Sequence, residues 1–201
     1  MGGIGVFGGT FDPLHVGHVV VALWVKAALQ LDRVELVVAN EPWQKLGKDS
    51  VTGDVSAATK MVAPQHRLAM VEAVVDGMDG LVASSIEIDR GGSTYTVETL
   101  EAYRDAYPSC GLFLIVGSDV AAEMDTWYRW TEVAELAEVV VVDRPGMQTQ
   151  RLSLPCQMVW CPALQVSSSQ VRQWAQEGKP LDGLVPAQAL AYCRQEHLYG
   201  F

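Results

Sequence analysis

The chain has 201 residues, 49% of them hydrophobic and 19% charged, with a formal net charge of −10. These values fit one globular domain with a substantial core and exclude wholesale disorder; a broad nucleic-acid-binding surface, which needs a basic stripe, is excluded as well. No apolar run reaches membrane-spanning length, since Val19–Val25 stops at Lys26.

The first strand is expected over Ile4–Phe7, then a glycine turn and a helix from about Val16 to Leu31. Its apolar positions Val20, Leu23, Trp24, Ala27, Ala28 and Leu31 recur at helical spacing. Val34–Ala39 is a β-branched second strand, and the polar stretch 40–62 is long for a structureless connection. Pro64 suits the first turn of a helix running to about Asp76. Leu81–Ile86 reads as a strand and Asp89–Ser93 as a turn, with Thr96 the N-cap candidate for a helix over Val97–Ala106. Leu112–Val116 is a continuous apolar run suited to a central strand. Short helices are expected around Val120–Met124 and Trp127–Ala137, the second capped by Thr126. Val139–Val142 and Gln157–Cys161 are strands; helices follow from the serine run at Ser167 to about Glu177 and from Pro186 to near His197. Alternating strands and helices predict a doubly wound parallel α/β sheet of Rossmann-like type with a helical C-terminal part, all in one domain. Ligands of such sheets bind at the carboxyl ends of the strands.

The start of the chain lacks the basic region of a secretory signal. Cys110, Cys156, Cys161 and Cys193 form no C-x-x-C pair, so a cytoplasmic protein with reduced thiols is expected; Cys156 and Cys161 alone would make a weak zinc site. Gly3, Gly5 and Gly8 satisfy the G-x-G-x-x-G spacing, but that pattern lies across the strand instead of opening a helix. No phosphate-binding G-x-x-x-x-G-K-[ST] is present.

Three other segments fall near strand ends or a helix start. The first is Gly8-Gly9-Thr10-Phe11-Asp12-Pro13 with His15 and His18; the second is Gly117-Ser118-Asp119; the third is Val166-Ser167-Ser168-Ser169-Gln170-Val171-Arg172. Glycines admit close backbone approach, and helix N-termini favour anions, so imidazoles placed there can hold a phosphate. An acidic chain must build such a site locally, and Lys45, Lys48, Lys60, Arg144 and Arg172 are the cations available.

Together the three segments resemble the nucleotidylyltransferase superfamily, which pairs H-x-G-H with a late [IV]-S-S-[ST]-x-[IV]-R. The Gly-Gly-Thr-Phe-Asp-Pro form, Tyr95-Thr96 with Thr99-Leu100, Thr126-Trp127-Tyr128, Pro42-Trp43-Gln44-Lys45 and His66-Arg67 are similar to bacterial nicotinate-mononucleotide adenylyltransferases. The chain departs from them at Val38-Ala39-Asn40-Glu41, where Val-Pro is common, and in a longer insert over 46–62. The resemblance implies adenylyl transfer from ATP to nicotinate mononucleotide, giving deamido-NAD and pyrophosphate, with Mg2+ carried on ATP and no dedicated metal ligands. His18, His15 and Arg172 are implied as catalytic. Gly8, Gly9, Thr10, Lys45, Gly117, Asp119, Ser168 and Ser169 would join them around ATP. Thr96, Asp119, Trp127, Tyr128 and Arg144 would take the mononucleotide. Nicotinamide mononucleotide or phosphopantetheine as acceptor, or a non-catalytic nucleotide sensor, remain alternatives. The partners implied are ATP and the mononucleotide, with no nucleic acid and no membrane, leaving room for a homo-oligomer. Trp24, Trp174, His66 and His197 read as structural, and Arg67 as an ion-pair residue.

Overall fold

The computed structural model describes residues 2–42, 61–143, 155–162 and 164–201. Strands β1 (Gly3–Gly9), β2 (Arg33–Val38), β4 (Leu81–Ser84), β6 (Gly111–Gly117), β7 (Glu138–Asp143) and β8 (Gln157–Trp160) form one parallel sheet in the order β4-β2-β1-β6-β7-β8. Counting only these strands, the order is 3-2-1-4-5-6, the doubly wound arrangement with its switch point between β1 and β6. The glycine spacing Gly3–Gly8 lies inside β1, as its position across the strand predicts. A second, two-stranded sheet joins β3 (Glu41–Pro42) to β5 (Ser93–Thr94), a pairing the sequence gives no sign of.

The helices are α1 (Val16–Ala28), α2 (Pro64–Val75), α3 (Ile86–Arg90), α4 (Thr96–Ala106), α5 (Ser118–Ala121), α6 (Trp130–Leu136), α7 (Ser168–Gln176) and α8 (Ala187–Gln195). They divide the core into two layers. On one face Val19, Ala22 and Val25 of α1 pack with Met70, Val71 and Val74 of α2 and with α7 and α8. On the other, Val97, Leu100 and Tyr103 of α4 pack with Met124 and Val133 against Ile4, Val6, Leu112, Leu114 and Val139. Val139–Val142 are all buried, which is why β7 reads as an unbroken apolar run.

Three expectations are corrected. Helix α1 buries Val19, Ala22 and Val25 and leaves Leu23 and Trp24 about 40% exposed; of the expected stripe only Val20 and Leu31 reach the core. The segment is apolar nearly all round, so periodicity alone cannot select a face; the buried one continues the side that carries His18. Trp24 instead meets the exposed ring of Trp160 edge-on, with centroids 6.5 Å apart. Second, Ile86 opens helix α3, whose Arg90 precedes Gly91 and Gly92 at φ of 71° and 69°. Third, Thr126 caps no helix: its Oγ1 donates to the Glu123 carbonyl at the end of a single 3-10 turn, Met124–Thr126, and α6 starts only after Arg129.

Arg67 is the largest fully buried side chain, on the same stripe of α2 as Met70, Val71 and Val74. Its guanidinium donates to three carbonyls: Thr10 at 2.7 Å, Val62 at 2.9 Å and Asn40 at 3.1 Å. It is therefore a backbone clamp and not the expected ion-pair residue, since among the described residues it forms no salt bridge, and desolvation lowers its pKa from the ordinary value. Arg67→Lys should strand two buried acceptors at about 1–3 kcal/mol each. Urea unfolding should show a loss of roughly 2–6 kcal/mol, and a loss below about 1 kcal/mol would exclude the clamp.

Candidate active site

The glycine motif continues β1 farther than expected. Gly8 and Gly9 still pair with Val37 and Val38, so both are the last residues of the strand, and the turn begins at Thr10. A Cβ on Gly9 would lie 2.9 Å from the Phe11 ring, which explains the need for glycine there. Phe11 is buried at a φ of 49°, a conformation uncommon for an aromatic residue, and the Asp12–Pro13 peptide is cis.

The turn delivers His15 to the N-cap of α1 and His18 to its third position. The His15 main-chain N–H donates to Nδ1 of His18 at 3.1 Å, and the two imidazoles stack with centroids 3.7 Å apart. With Nδ1 serving as acceptor, a neutral His18 carries its proton on Nε2, as a donor. Phe11 meets the same ring edge-on at 5.0 Å and fixes its plane. His15 lies beneath, only 4% exposed, in a crevice shared with Gly17 and Val166, the residue that opens the serine motif.

A cavity of about 290 Å³ opens at the β1/β6 switch point. Gly8, Gly9, Thr10 and His18 line one side, Gly117 and Asp119 another, and Thr96, Trp127 and Tyr128 the far end. This is where a doubly wound sheet places a ligand, outside the carboxyl ends of its strands. Thr96 is the first residue of α4 and not its cap; Tyr95 holds that place. Trp127 stands in extended conformation between the 3-10 turn and α6, with its indole Nε1 buried and without a hydrogen-bond partner among the described residues. Tyr128, half exposed, packs on Tyr95 with ring centroids 4.8 Å apart.

Arg172, Ser168 and Ser169 do not line this cavity; they gather at the backbone of the glycine motif instead. Arg172 donates to the Asp12 carbonyl at 2.6 Å and to Ser169 Oγ at 3.3 Å, while the Ser168 hydroxyl donates to the Pro13 carbonyl at 2.9 Å. Ser167 caps α7 by accepting from the Gln170 N–H at 3.2 Å. The first and third motifs thus converge on one face of the molecule. Lys45 and Arg144 lie outside the described residues. His66 bonds to the Tyr192 hydroxyl at 2.9 Å, consistent with a structural role.

Three residues at or beside the site were not singled out as ligands or supports. Arg67 could have been found as a charge on an apolar helical stripe. Glu87 lines the cavity, is buried, and accepts the Thr99 hydroxyl at 2.6 Å; no motif marks it. Tyr199, whose hydroxyl donates to Asp12 Oδ1 at 2.6 Å, is separated from it by 187 residues and leaves no sequence signal.

Such an assembly of strand-end glycines, a helix-capping histidine pair and a late Ser/Arg helix defines a nucleotidyl-transferring α/β protein. Residues 6–174 match the cytidylyltransferase-like family model. Curated relatives named "probable nicotinate-nucleotide adenylyltransferase" include that of Corynebacterium kroppenstedtii, 37% identical over 98% of this chain and 90% of its own length. Those of Frankia alni and Streptomyces coelicolor are each 40% identical, covering 96% of this chain and 97% and 98% of their own lengths. The chain belongs to the nicotinate-nucleotide adenylyltransferase family within the cytidylyltransferase-like proteins. The fold is shared with the Plasmodium falciparum nicotinic acid mononucleotide adenylyltransferase solved in complex with NaAD, at a TM-score of 0.77 and 14% identity over 100% of this chain and 98% of that one. A Vibrio parahaemolyticus putative nicotinate-nucleotide adenylyltransferase superposes with a TM-score of 0.70 at 20% identity, covering 100% of this chain and 96% of the other.

Two outcomes follow from this geometry. His18→Ala should lower kcat by about 10²–10³, the usual effect of removing one preorganised donor; steady-state kinetics on folded protein that show near-wild-type turnover would remove His18 from the chemistry. Glu87 is held above its ordinary pKa chiefly by burial. The folded state therefore binds its proton more tightly than the unfolded chain. Its stabilising contribution is full below the ordinary carboxylate range, near about pH 4, and is lost as pH rises through the raised value. Glu87→Gln keeps an acceptor for Thr99 without ionising, so its melting temperature relative to wild type should climb as pH rises above the ordinary carboxylate range. A pH-independent difference would contradict this.

Proposed function

We propose that the protein transfers the adenylyl group of magnesium-bound ATP to nicotinate mononucleotide, forming deamido-NAD and pyrophosphate. The observation that carries this reading is the His18 imidazole at the start of α1, its Nδ1 accepting the His15 N–H and its ring lining the cavity beside the strand-end glycines. A mononucleotide phosphate oxygen attacks the α-phosphorus in line, the bond to the bridging oxygen breaks, and pyrophosphate leaves with the electron pair. No covalent enzyme intermediate is needed. The work of the protein is to position two anions and to stabilise the charge that shifts between them.

In this reading His18 donates to an α-phosphate oxygen. Gly8, Gly9 and Thr10 offer main-chain and hydroxyl donors, and His15 backs the His18 ring. Arg172, with Ser168 and Ser169 at the start of α7, faces the β- and γ-phosphates. Lys45 supplies a further phosphate contact and Arg144 a contact on the mononucleotide. Magnesium arrives on the phosphates, which suits a metal that keeps most of its waters; among the described residues no group of three or more His, Cys, Asp or Glu side chains is placed to hold it. Asp119 accepts a ribose hydroxyl. Trp127 stacks on the pyridine ring, and the nicotinate carboxylate meets main-chain N–H groups around Thr96 and Tyr128.

One feature favours nicotinate over nicotinamide. Thr96 begins an 11-residue helix whose first N–H groups have no intrahelical acceptors, and an anion is favoured at such an end. A charge-assisted hydrogen bond contributes about 1.5–3 kcal/mol, which corresponds to roughly 10–150-fold. Pyrophosphate release measured with three acceptors should therefore give a kcat/KM for nicotinate mononucleotide about 10–150 times that for nicotinamide mononucleotide, with phosphopantetheine inactive. Preference for either of the other acceptors would overturn the substrate assignment. Tight ATP binding without turnover on any acceptor would instead identify a nucleotide sensor.

A further inference from the structure

Asp12 is 3% exposed, and the partners of its side chain come from three distant parts of the chain. Oδ1 accepts the Tyr199 hydroxyl at 2.6 Å and the Val62 N–H at 3.3 Å. Oδ2 stands 3.6 Å from Nη1 of Arg172, and the same Nη1 donates to the Asp12 main-chain carbonyl at 2.6 Å. A buried carboxylate beside a guanidinium ordinarily closes into a short, paired fork. Here it does not: one oxygen is committed elsewhere, and the guanidinium is held by neutral oxygens of Asp12 and Ser169.

Tyr199 is built to hold that oxygen. It follows α8 in a left-handed conformation, φ 59°, inside a turn tied by the Leu198 N–H to the Cys193 carbonyl at 2.9 Å. Its ring is packed against the core layer formed by α1, α2, α7 and α8. Burial and the neighbouring Asp12 carboxylate raise its pKa well above that of an ordinary phenol, so the hydroxyl stays a donor across the working pH range.

We propose that Tyr199 is a positioning residue for adenylyl transfer: by occupying Asp12 Oδ1 it keeps the carboxylate from closing onto Arg172 as a two-bond fork, so that the guanidinium, 3.6 Å from Oδ2, stays oriented for the triphosphate. This rests on the reading of Arg172 as the partner of the β- and γ-phosphates. Without the phenol hydroxyl, Asp12 rotates toward Arg172 and forms the closed fork. ATP then has to compete with an internal carboxylate for the same cation. The mononucleotide end, lined by Thr96, Trp127 and Tyr128, is untouched.

The test is steady-state kinetics of Tyr199→Phe, which removes one oxygen and keeps the ring, beside Arg172→Lys and the double variant. The expected result is a KM for ATP about tenfold higher, with the KM for nicotinate mononucleotide within about twofold of wild type. The double variant should be little worse than Arg172→Lys alone, because both changes act through one guanidinium. The unaltered mononucleotide KM also reports that the variant is folded. If Tyr199→Phe lowers only the melting temperature, or raises both KM values equally, Tyr199 is structural and the proposal fails. If Tyr199→Phe is silent while Arg172→Lys impairs ATP use, the positioning role alone is lost. If Arg172→Lys leaves ATP kinetics unchanged, the assignment of Arg172 falls first and the role of Tyr199 falls with it.

Discussion

The site depends on main-chain carbonyls between Thr10 and Pro13 being held by side chains from remote segments. Arg67 takes the Thr10 carbonyl, Arg172 that of Asp12, and Ser168 that of Pro13. The turn carries a left-handed Phe11, and these three side chains hold its carbonyls from outside. Once it is fixed, His15 falls at the start of α1, and the His15 N–H fixes the ring of His18. Each later step in the site inherits its precision from those few bonds.

Charge explains why the clamps are arginines. The protein carries a formal charge of −10 and must still receive polyanionic substrates. Guanidinium groups bound to neutral carbonyls keep their charge, whereas a guanidinium paired with a carboxylate contributes little net field. Arginines that donate to main-chain oxygens, Arg67 fully buried and Arg172 partly so, therefore shape the loop and bring positive charge to it in one stroke. The glycine strand end and the N-terminus of α1 add partial positive charge without adding another ionisable group.

Much of the fold was legible. The largely β-branched run from Val34 to Val38 and the valines of β7 announced strands because a parallel sheet buried on both faces favours such residues, the buried Glu35 of β2 being held by Tyr103 and Arg33. The ends of Gly3–Gly9 and Gly111–Gly117 marked the site because motif glycines stood there. What escaped was decided by tertiary contact. The exposed side of α1 could not be read from a helix apolar nearly all round, and the 3-10 turn before Trp127 looked like a capped helix because Thr126 is equally suited to bonding the Glu123 carbonyl. Asp12 was part of a recognised motif, yet its partner Tyr199 could not be inferred, since a hydrogen bond across 187 residues has no periodicity. The pairing of β3 with β5 was hidden for a similar reason: two residues per strand are too few to show alternation.

The placement of Arg67 bears on how this fold can diverge. One guanidinium grips the carbonyls of Asn40 and Val62, the positions that bound the long polar connection, together with that of Thr10. The connection is thereby anchored at both ends to the same rigid post as the glycine turn. Residues can be gained or lost between those anchors at an entropic cost that grows only with the logarithm of length, while the atoms that would meet a nucleotide stay where they are. Size variation in that stretch is insulated from the glycine turn and the histidine pair, so an enlarged connection is compatible with an unaltered framework around His18, the Lys45 contact being the one part of the proposed site that the connection itself carries.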